Sequence, residues 1–367
     1  MGTVGRVAVI VVAQCALLGA LGTGTGAVGL AEPRTIASYN FVDWVAQDGA
    51  LIAWSADAGG CSVLVVLNRA TGKRWTLQNP MRGGDTCSSV NSIVAIAGRR
   101  VLWSGFQNCC NNGDGDILTV TVGSSRRNVL ESLSLDGWIQ GDFMSAAAGD
   151  GTTLVYAIAD SDTGPGCFTG NEPDCDRVVP EGGEVWRVAD GKRAEVRGAP
   201  AAAMLAVAGR NVLIVPAAKA CAEPPDPPGY EVGCWPVARP NAPMTIRDAF
   251  TGRRVAALRS RGRVLAVSMS GTSAAALVQR EGRRWIDFFT LRTQRLLRTT
   301  AVPSTARELA LAGTSIAFTT QRDVRLLRGT TIRVLARARR TPFALSAEGG
   351  RLVWAEGGDI RELRVGG

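Results

Sequence analysis

The chain of 367 residues contains no histidine. That absence removes Ser-His-Asp and Cys-His machinery, histidine-ligated zinc or iron, and histidine general bases. Tyrosine occurs only at Tyr39, Tyr156 and Tyr230, which leaves few candidates for a tyrosine nucleophile. There is no CxxC pair at zinc spacing, no P-loop and no G-x-S-x-G; the Gly22-x-Gly24-x-Gly26 run lies in the N-terminal segment expected to be a signal peptide. Beyond Leu21 no segment approaches the roughly eighteen apolar residues of a spanning helix. Of the familiar hydrolytic chemistries, a pair of carboxylates stays open.

What the chain does have is one short pattern, seven times over: small apolar residues, a glycine, then a hydrophobic run. Its glycines are Gly49, Gly98, Gly149, Gly209, Gly271, Gly313 and Gly349, spaced 49, 51, 60, 62, 42 and 36 residues apart. A period near fifty built of strand-like runs predicts a radial array, an all-β, seven-bladed β-propeller of four-stranded antiparallel blades. The blades are expected at 41–79, 90–130, 143–197, 201–258, 263–299, 306–336 and 342–365. The last has room for three strands, so Arg34 to Tyr39 is expected to supply the fourth and close the ring, which removes two exposed edges. The small residues of each inner strand suit the crowded axis. Trp54, Trp103, Trp354, Tyr156 and Phe318 fall at matching positions of the second strands and are expected in the layers between blades.

A second recurrence marks a later turn in the blade. Arg69-Ala70-Thr71-Gly72-Lys73-Arg74 and Asp248-Ala249-Phe250-Thr251-Gly252-Arg253-Arg254 lie at strand junctions, where Thr-Gly supplies the positive φ of a tight hairpin. On these residues the chain resembles the bacterial WD40-like propellers, including the TolB and YncE types, whose blades carry hydrophobic-D-x-x-T-G-K/R there. The resemblance spans nearly all of 32–367 and implies a blade rather than an activity. The Trp-Asp dipeptide of eukaryotic WD40 blades is absent, so their histidine-anchored network is not implied.

Residues 1–31 are expected to be a secretory signal peptide: Arg6, the apolar run Val7 to Leu21, and small residues at Gly29 and Ala31 before Glu32. Residues 32–367 would then be a single propeller domain, secreted or associated with the cell envelope. The eight remaining cysteines, Cys61, Cys87, Cys109, Cys110, Cys167, Cys175, Cys221 and Cys234, are an even set in an exported chain and are expected as disulfides. All map to loops between second and third strands or to the connection from blade 1 to blade 2, hence to one face. Cys167–Cys175 and Cys221–Cys234 would close short loops; Cys109 and Cys110 would take Cys61 and Cys87 in either order.

Charge divides the chain as well. Residues 32–243 carry 17 Lys/Arg against 23 Asp/Glu, net −6, and residues 244–367 carry 23 Arg against 9 Asp/Glu, net +14. Insertions at 56–62, 105–116, 160–184 and 217–243 lengthen the first four blades on the cysteine face. Asp160, Asp162, Glu172, Asp174, Asp176, Tyr230 and Trp235 lie in them and are the candidate binding residues. Asn112, Asp114 and Asp116 alternate as the first ligands of a calcium loop do, although the sixth-position glycine and twelfth-position glutamate are replaced by Ile117 and Gly123. No cofactor other than that calcium is expected. The expected function is binding of a protein or envelope polymer by a monomer, without nucleic acid. The alternative is a carboxylate-based carbohydrate hydrolase or lyase, which needs two acids converging at the axial mouth.

Overall fold

The computed structural model describes residues 32–57, 62–78, 89–109, 112–136, 140–160, 184–222 and 233–365. They fall within one compact unit, Ala31–Gly367, and all of their regular structure is strand. Seven antiparallel four-stranded blades follow one another in a ring. Their innermost strands are Phe41–Asp48, Ser89–Ala97, Gln140–Asp150, Ala202–Ala208, Arg263–Ser270, Leu309–Ala312 and Pro342–Glu348. Each blade begins within a few residues of its predicted start. Expectations for the signal peptide and for Cys61, Cys87, Cys110, Cys167, Cys175, Asp162, Glu172, Asp174, Asp176 and Tyr230 lie outside the described residues.

The ring closes as predicted. Arg34–Ser38 runs antiparallel to Asp359–Arg364 as the outer strand of blade 7, with Arg34 opposite Glu362 and Ser38 opposite Asp359. Tyr39 N–H donates to the Gly358 carbonyl at 2.8 Å, and Ser38 Oγ donates to Asp359 Oδ1 at 2.6 Å. A Cβ at Gly358 would run into the Tyr39 carbonyl, so this junction requires glycine.

Seven hydrophobic clusters hold the ring together, one in each layer between neighbouring blades. Trp54 fills the layer between blades 7 and 1, Trp103 that between 1 and 2, and Tyr156 that between 2 and 3. Phe318 lies between blades 5 and 6, and Trp354 between 6 and 7. All five are fully buried, as their matching positions predict. Blades wedge apart outward from the axis, so alanines suffice inside and large rings are needed farther out.

The turn between third and outer strands explains its motif. In blade 1, Asn68 Oδ1 accepts from Ala70 and Thr71 N–H at 2.9 and 3.2 Å, and Thr71 Oγ1 accepts from Lys73 N–H at 3.3 Å. In blade 4, Asp248 Oδ1 accepts from Phe250 and Thr251 N–H, both at 2.9 Å, and Thr251 Oγ1 accepts from Arg253 N–H at 3.3 Å. Side-chain oxygens thus tie the loop to its own backbone, while Gly72 and Gly252, both at φ 72°, reverse it. Burial works to raise the Asp248 carboxyl, but donation from Arg210, Thr251 and Phe250 outweighs it and pulls the pKa down to about 2.

Three expectations change. The insertion at 105–116 is strand rather than loop: Arg100–Cys109 and Asn112–Thr121 stay paired to their tips, with Cys109 opposite Asn112. In blade 4, half of the insertion is also strand, because Asn211–Ala222 outruns its blade and pairs there with Gly233–Ala238. The third copy of the repeat turns at Gly151, φ 57°, and not at Gly149. Gly149 lies within its strand, where a Cβ would collide with the Ile96 carbonyl of the neighbouring inner strand. Two glycines close together, one for packing and one for turning, were indistinguishable by pattern.

Candidate functional site

The innermost strands all run the same way along the axis. Their first residues therefore ring one mouth of a central channel and their last residues ring the other. The channel encloses about 640 Å³, lined largely by small side chains such as Ala46, Ala95, Ala147, Ala206, Ala266 and Ala310. The mouth at the starts of these strands shares its face with the hairpins of blades 2 and 4. The mouth at their ends shares its face with the turns between first and second strands.

At this second mouth three acids converge. Asp48 ends the inner strand of blade 1, Asp150 that of blade 3 and Glu348 that of blade 7. One carboxylate oxygen from each lies within 4.8 Å of the others. Asp48 Oδ2 accepts from the N–H of Gly98 and, at 3.0 Å, from that of Gly151; Asp150 Oδ2 accepts from Gly209 N–H at 2.6 Å. Asp48 thereby anchors the turns of blades 2 and 3, and Asp150 that of blade 4. Glu348 has no such donor among the described residues. Burial raises its carboxyl pKa, and the nearby charges of Asp48 and Asp150 raise it further against Arg351.

The trio sets Glu348, whose carboxyl is pushed up by burial and by its two neighbours, beside two aspartates that accept backbone N–H groups. Its sequence signal is an acidic residue immediately before the turn glycine in copies 1, 3 and 7, where copies 2, 4 and 6 have alanine. In copy 3 the acid precedes Gly151, the second of two nearby glycines, which the repeat pattern does not distinguish from Gly149.

Because the folded-state pKa of Glu348 lies above its unfolded value, its contribution favours folding below the ordinary carboxyl range. That contribution is lost as pH rises through the raised folded value. Glu348→Gln should therefore melt higher than the wild type near pH 8 in chelator, and the advantage should vanish near pH 4. Thermal melts at the two pH values check this; a lower melting temperature at pH 8 would contradict it.

At the opposite mouth Glu308 Oε2 accepts from Leu345 N–H at 2.8 Å. Burial raises the Glu308 carboxyl, while the Leu345 and Ala344 N–H groups act to lower it. Ala344 sits in the left-handed region at φ 51°, inside the bulge of its strand, a conformation that costs an alanine about 1–2 kcal/mol. The Glu308 carboxylate ties blade 6 to this strained segment.

Those sequence-derived candidates that are among the described residues lie elsewhere. Cys221 and Cys234 are direct partners across the blade 4 hairpin, and Trp235 is opposite Ala220. Asp160 ends the second strand of blade 3, opposite Asp142. Asn112, Asp114 and Asp116 occupy alternate positions of an extended strand rather than a curled loop, and Asp116 Oδ1 accepts from Ser132 Oγ at 2.9 Å.

No family model and no protein of curated function matches this sequence. Among solved structures, the chain is similar to the β-propeller domain of the Trilobed protease from Pyrococcus furiosus. Identity there is 8% and the TM-score 0.51, with 90% of this chain and 96% of that one covered. That propeller is described as having an open velcro topology, whereas here Arg34–Ser38 closes the ring. A chain of the mitotic checkpoint complex matches at 12% identity and TM-score 0.51, covering 98% of this chain and 99% of that one. Acylaminoacyl peptidase from Pyrococcus horikoshii matches at 10% and 0.50 over 86% of this chain, which spans only 49% of the peptidase. At such identities the likeness shows the fold alone: a seven-bladed β-propeller.

Proposed function

We propose that this chain is an exported binding module of the bacterial WD40-like, TolB/YncE type, which takes a protein or envelope polymer on its hairpin face. The observation that carries the reading is the inequality of the blades. Blades 2 and 4 send paired strands beyond the ring on one face, whereas blades 5, 6 and 7 end in short turns. In blade 2 the projection is widened by Arg127–Asp136, which pairs along Asn112–Asp116 and then with Gln140 and Gly141 of blade 3. A rigid ring carrying projecting strands on one side suits recognition.

Disulfides would stiffen these projections. The Cys221–Cys234 pairing is supported by register: directly opposed antiparallel residues have Cα atoms about 4.5–5.5 Å apart, within the roughly 4.4–6.8 Å that a bridge spans. Cys109, at the tip of the blade 2 hairpin, stays assigned to Cys61 or Cys87.

Replacing 106–115, 161–183 and 219–236 with short turns tests the reading. A partner crosslinked to the full chain in native envelope extract should be lost from the shortened ring at unchanged fold. Equal crosslinking by both forms would end the proposal.

A second reading, carboxylate-based hydrolysis of an envelope glycan, is favoured by the acid trio at the channel mouth. Glu348, whose carboxyl is pushed up by burial and by Asp48 and Asp150, would be the general acid, and Asp48 or Asp150 its partner carboxyl. Reducing-sugar release that disappears in Glu348→Gln would support it; a wild-type chain that releases none removes it.

A further inference from the structure

Between blades 3 and 4 the outer rim holds another cavity, of about 410 Å³, lined by Arg187, Ala194, Glu195, Arg197, Phe250 and Thr251. Phe250 stands on the tied turn of blade 4 and is 43% exposed. Two guanidiniums lie against its ring, Arg187 at 4.3 Å and Arg210 at 4.6 Å from the centroid. They differ in what else they hold. Arg210 donates through Nε and Nη2 to the two oxygens of Asp248, at 3.1 and 3.2 Å, so its charge is matched.

Arg187 has neither an ion pair nor a hydrogen bond among the described residues, and its Nε is buried without an acceptor. Arg197 contributes its carbonyl to Arg247 at 3.2 Å, and its guanidinium likewise has no partner among the described residues. Glu195, on the same wall, forms no ion pair with either arginine.

We propose that this groove binds an acidic sugar through its oxyanion, a carboxylate or phosphate, with Arg187 as the principal donor and Arg197 as the second. A guanidinium is a planar fork that matches such an anion with two parallel hydrogen bonds. The Phe250 ring holds the Arg187 fork in place by cation–π contact, so less freedom is lost when the anion arrives. Glu195 offers an acceptor to a hydroxyl, which favours an anionic group on a hydroxylated carrier over a bare anion. The site uses neither the hairpins nor the channel, and it stands or falls independently of the proposed function.

Calorimetric titration of the full chain at low salt with glucuronate, glucose 6-phosphate and glucose tests it. One or both acids should bind, the tighter one naming the preferred oxyanion, and glucose should not. Arg187→Ala should weaken binding by at least about tenfold, and Arg187→Lys nearly as much, since the charge stays but the fork is lost. Phe250→Leu keeps every charge and should still weaken binding several-fold by freeing Arg187. Arg295→Ala, an exposed arginine of blade 5, should bind as the wild type does, and thermal melts establish that each variant is folded. Binding that survives Arg187→Lys intact would reduce the effect to the chain's net charge and overturn the proposal. So would equal binding of glucose, or no binding of either acid.

Discussion

Deleting residues 32–39 should lower the melting temperature by about 10 °C and turn a monodisperse protein into an associating one. The deletion removes the ladder from Arg34–Ser38 to Asp359–Arg364 and its side-chain ties, Ser38 to Asp359 and Arg361 to Thr35. It also removes Arg74 Nη2 donating to the Ile36 carbonyl at 2.9 Å, which fastens the closing strand to blade 1. Ile36, Ala37 and Tyr39 pack on the layer between blades 7 and 1, and the Tyr39 ring stands 6.3 Å from that of Trp54. Without them Asp359–Arg364 becomes an unpaired edge, which recruits other chains. A peptide of residues 32–40 added in trans should restore part of the loss, because it binds only the folded ring. An unchanged melting temperature and an unchanged elution volume would show that the ring does not depend on this strand.

Asp287→Ala should cost about 3–5 kcal/mol, the range for removing one partner of a buried ion pair. The Asp287 carboxylate is wholly buried in the third strand of blade 5. It accepts from Ser260 Oγ at 2.6 Å, from Thr299 Oγ1 at 2.8 Å and from the Arg280 guanidinium. Those donors come from the connection out of blade 4, the outer strand and the second strand, so one carboxylate ties three segments. Its removal leaves Arg280, only 24% exposed, without its counter-charge, and two hydroxyls without an acceptor. Asp287→Asn keeps the volume and part of the accepting capacity and should cost less. Chemical denaturation of the two variants measures the difference; a loss below about 1 kcal/mol for alanine would place the blade's stability in its apolar layer alone. Blade 5 thus builds a buried polar network from an aspartate, an arginine and two hydroxyls.

Strand order and blade boundaries were legible because each repeat states them locally. Small residues, a turn glycine and an apolar run recur wherever an inner strand turns back, and a period of about fifty admits few architectures. The aromatic layer was legible for the same reason, since Trp54, Trp103 and Trp354 hold one position in three copies. The hairpins were partly legible. Cysteines and acidic residues marked 105–116 and 217–243 as insertions, but glycine-rich polar sequence hid the strand pairing that runs to Cys109 and Ala222. Pairing to a neighbour, and not propensity, fixes those residues.

The acid trio and the rim cavity were not found in the sequence. Asp48, Asp150 and Glu348 are separated by 102 and 198 residues, and Arg187 lies 63 residues before Phe250. Nothing in either interval says that their strands end at the same place. The sequence by itself determined the number of blades, the strand that closes them and the rings between them, all of which follow from period and residue size. Only the tertiary structure decided which charges meet, because the curvature of a closed ring sets the distance between copies of a repeat. That curvature gathers three acids at the channel mouth opposite the hairpins and leaves the Arg187 guanidinium on the rim without a counter-charge among the described residues.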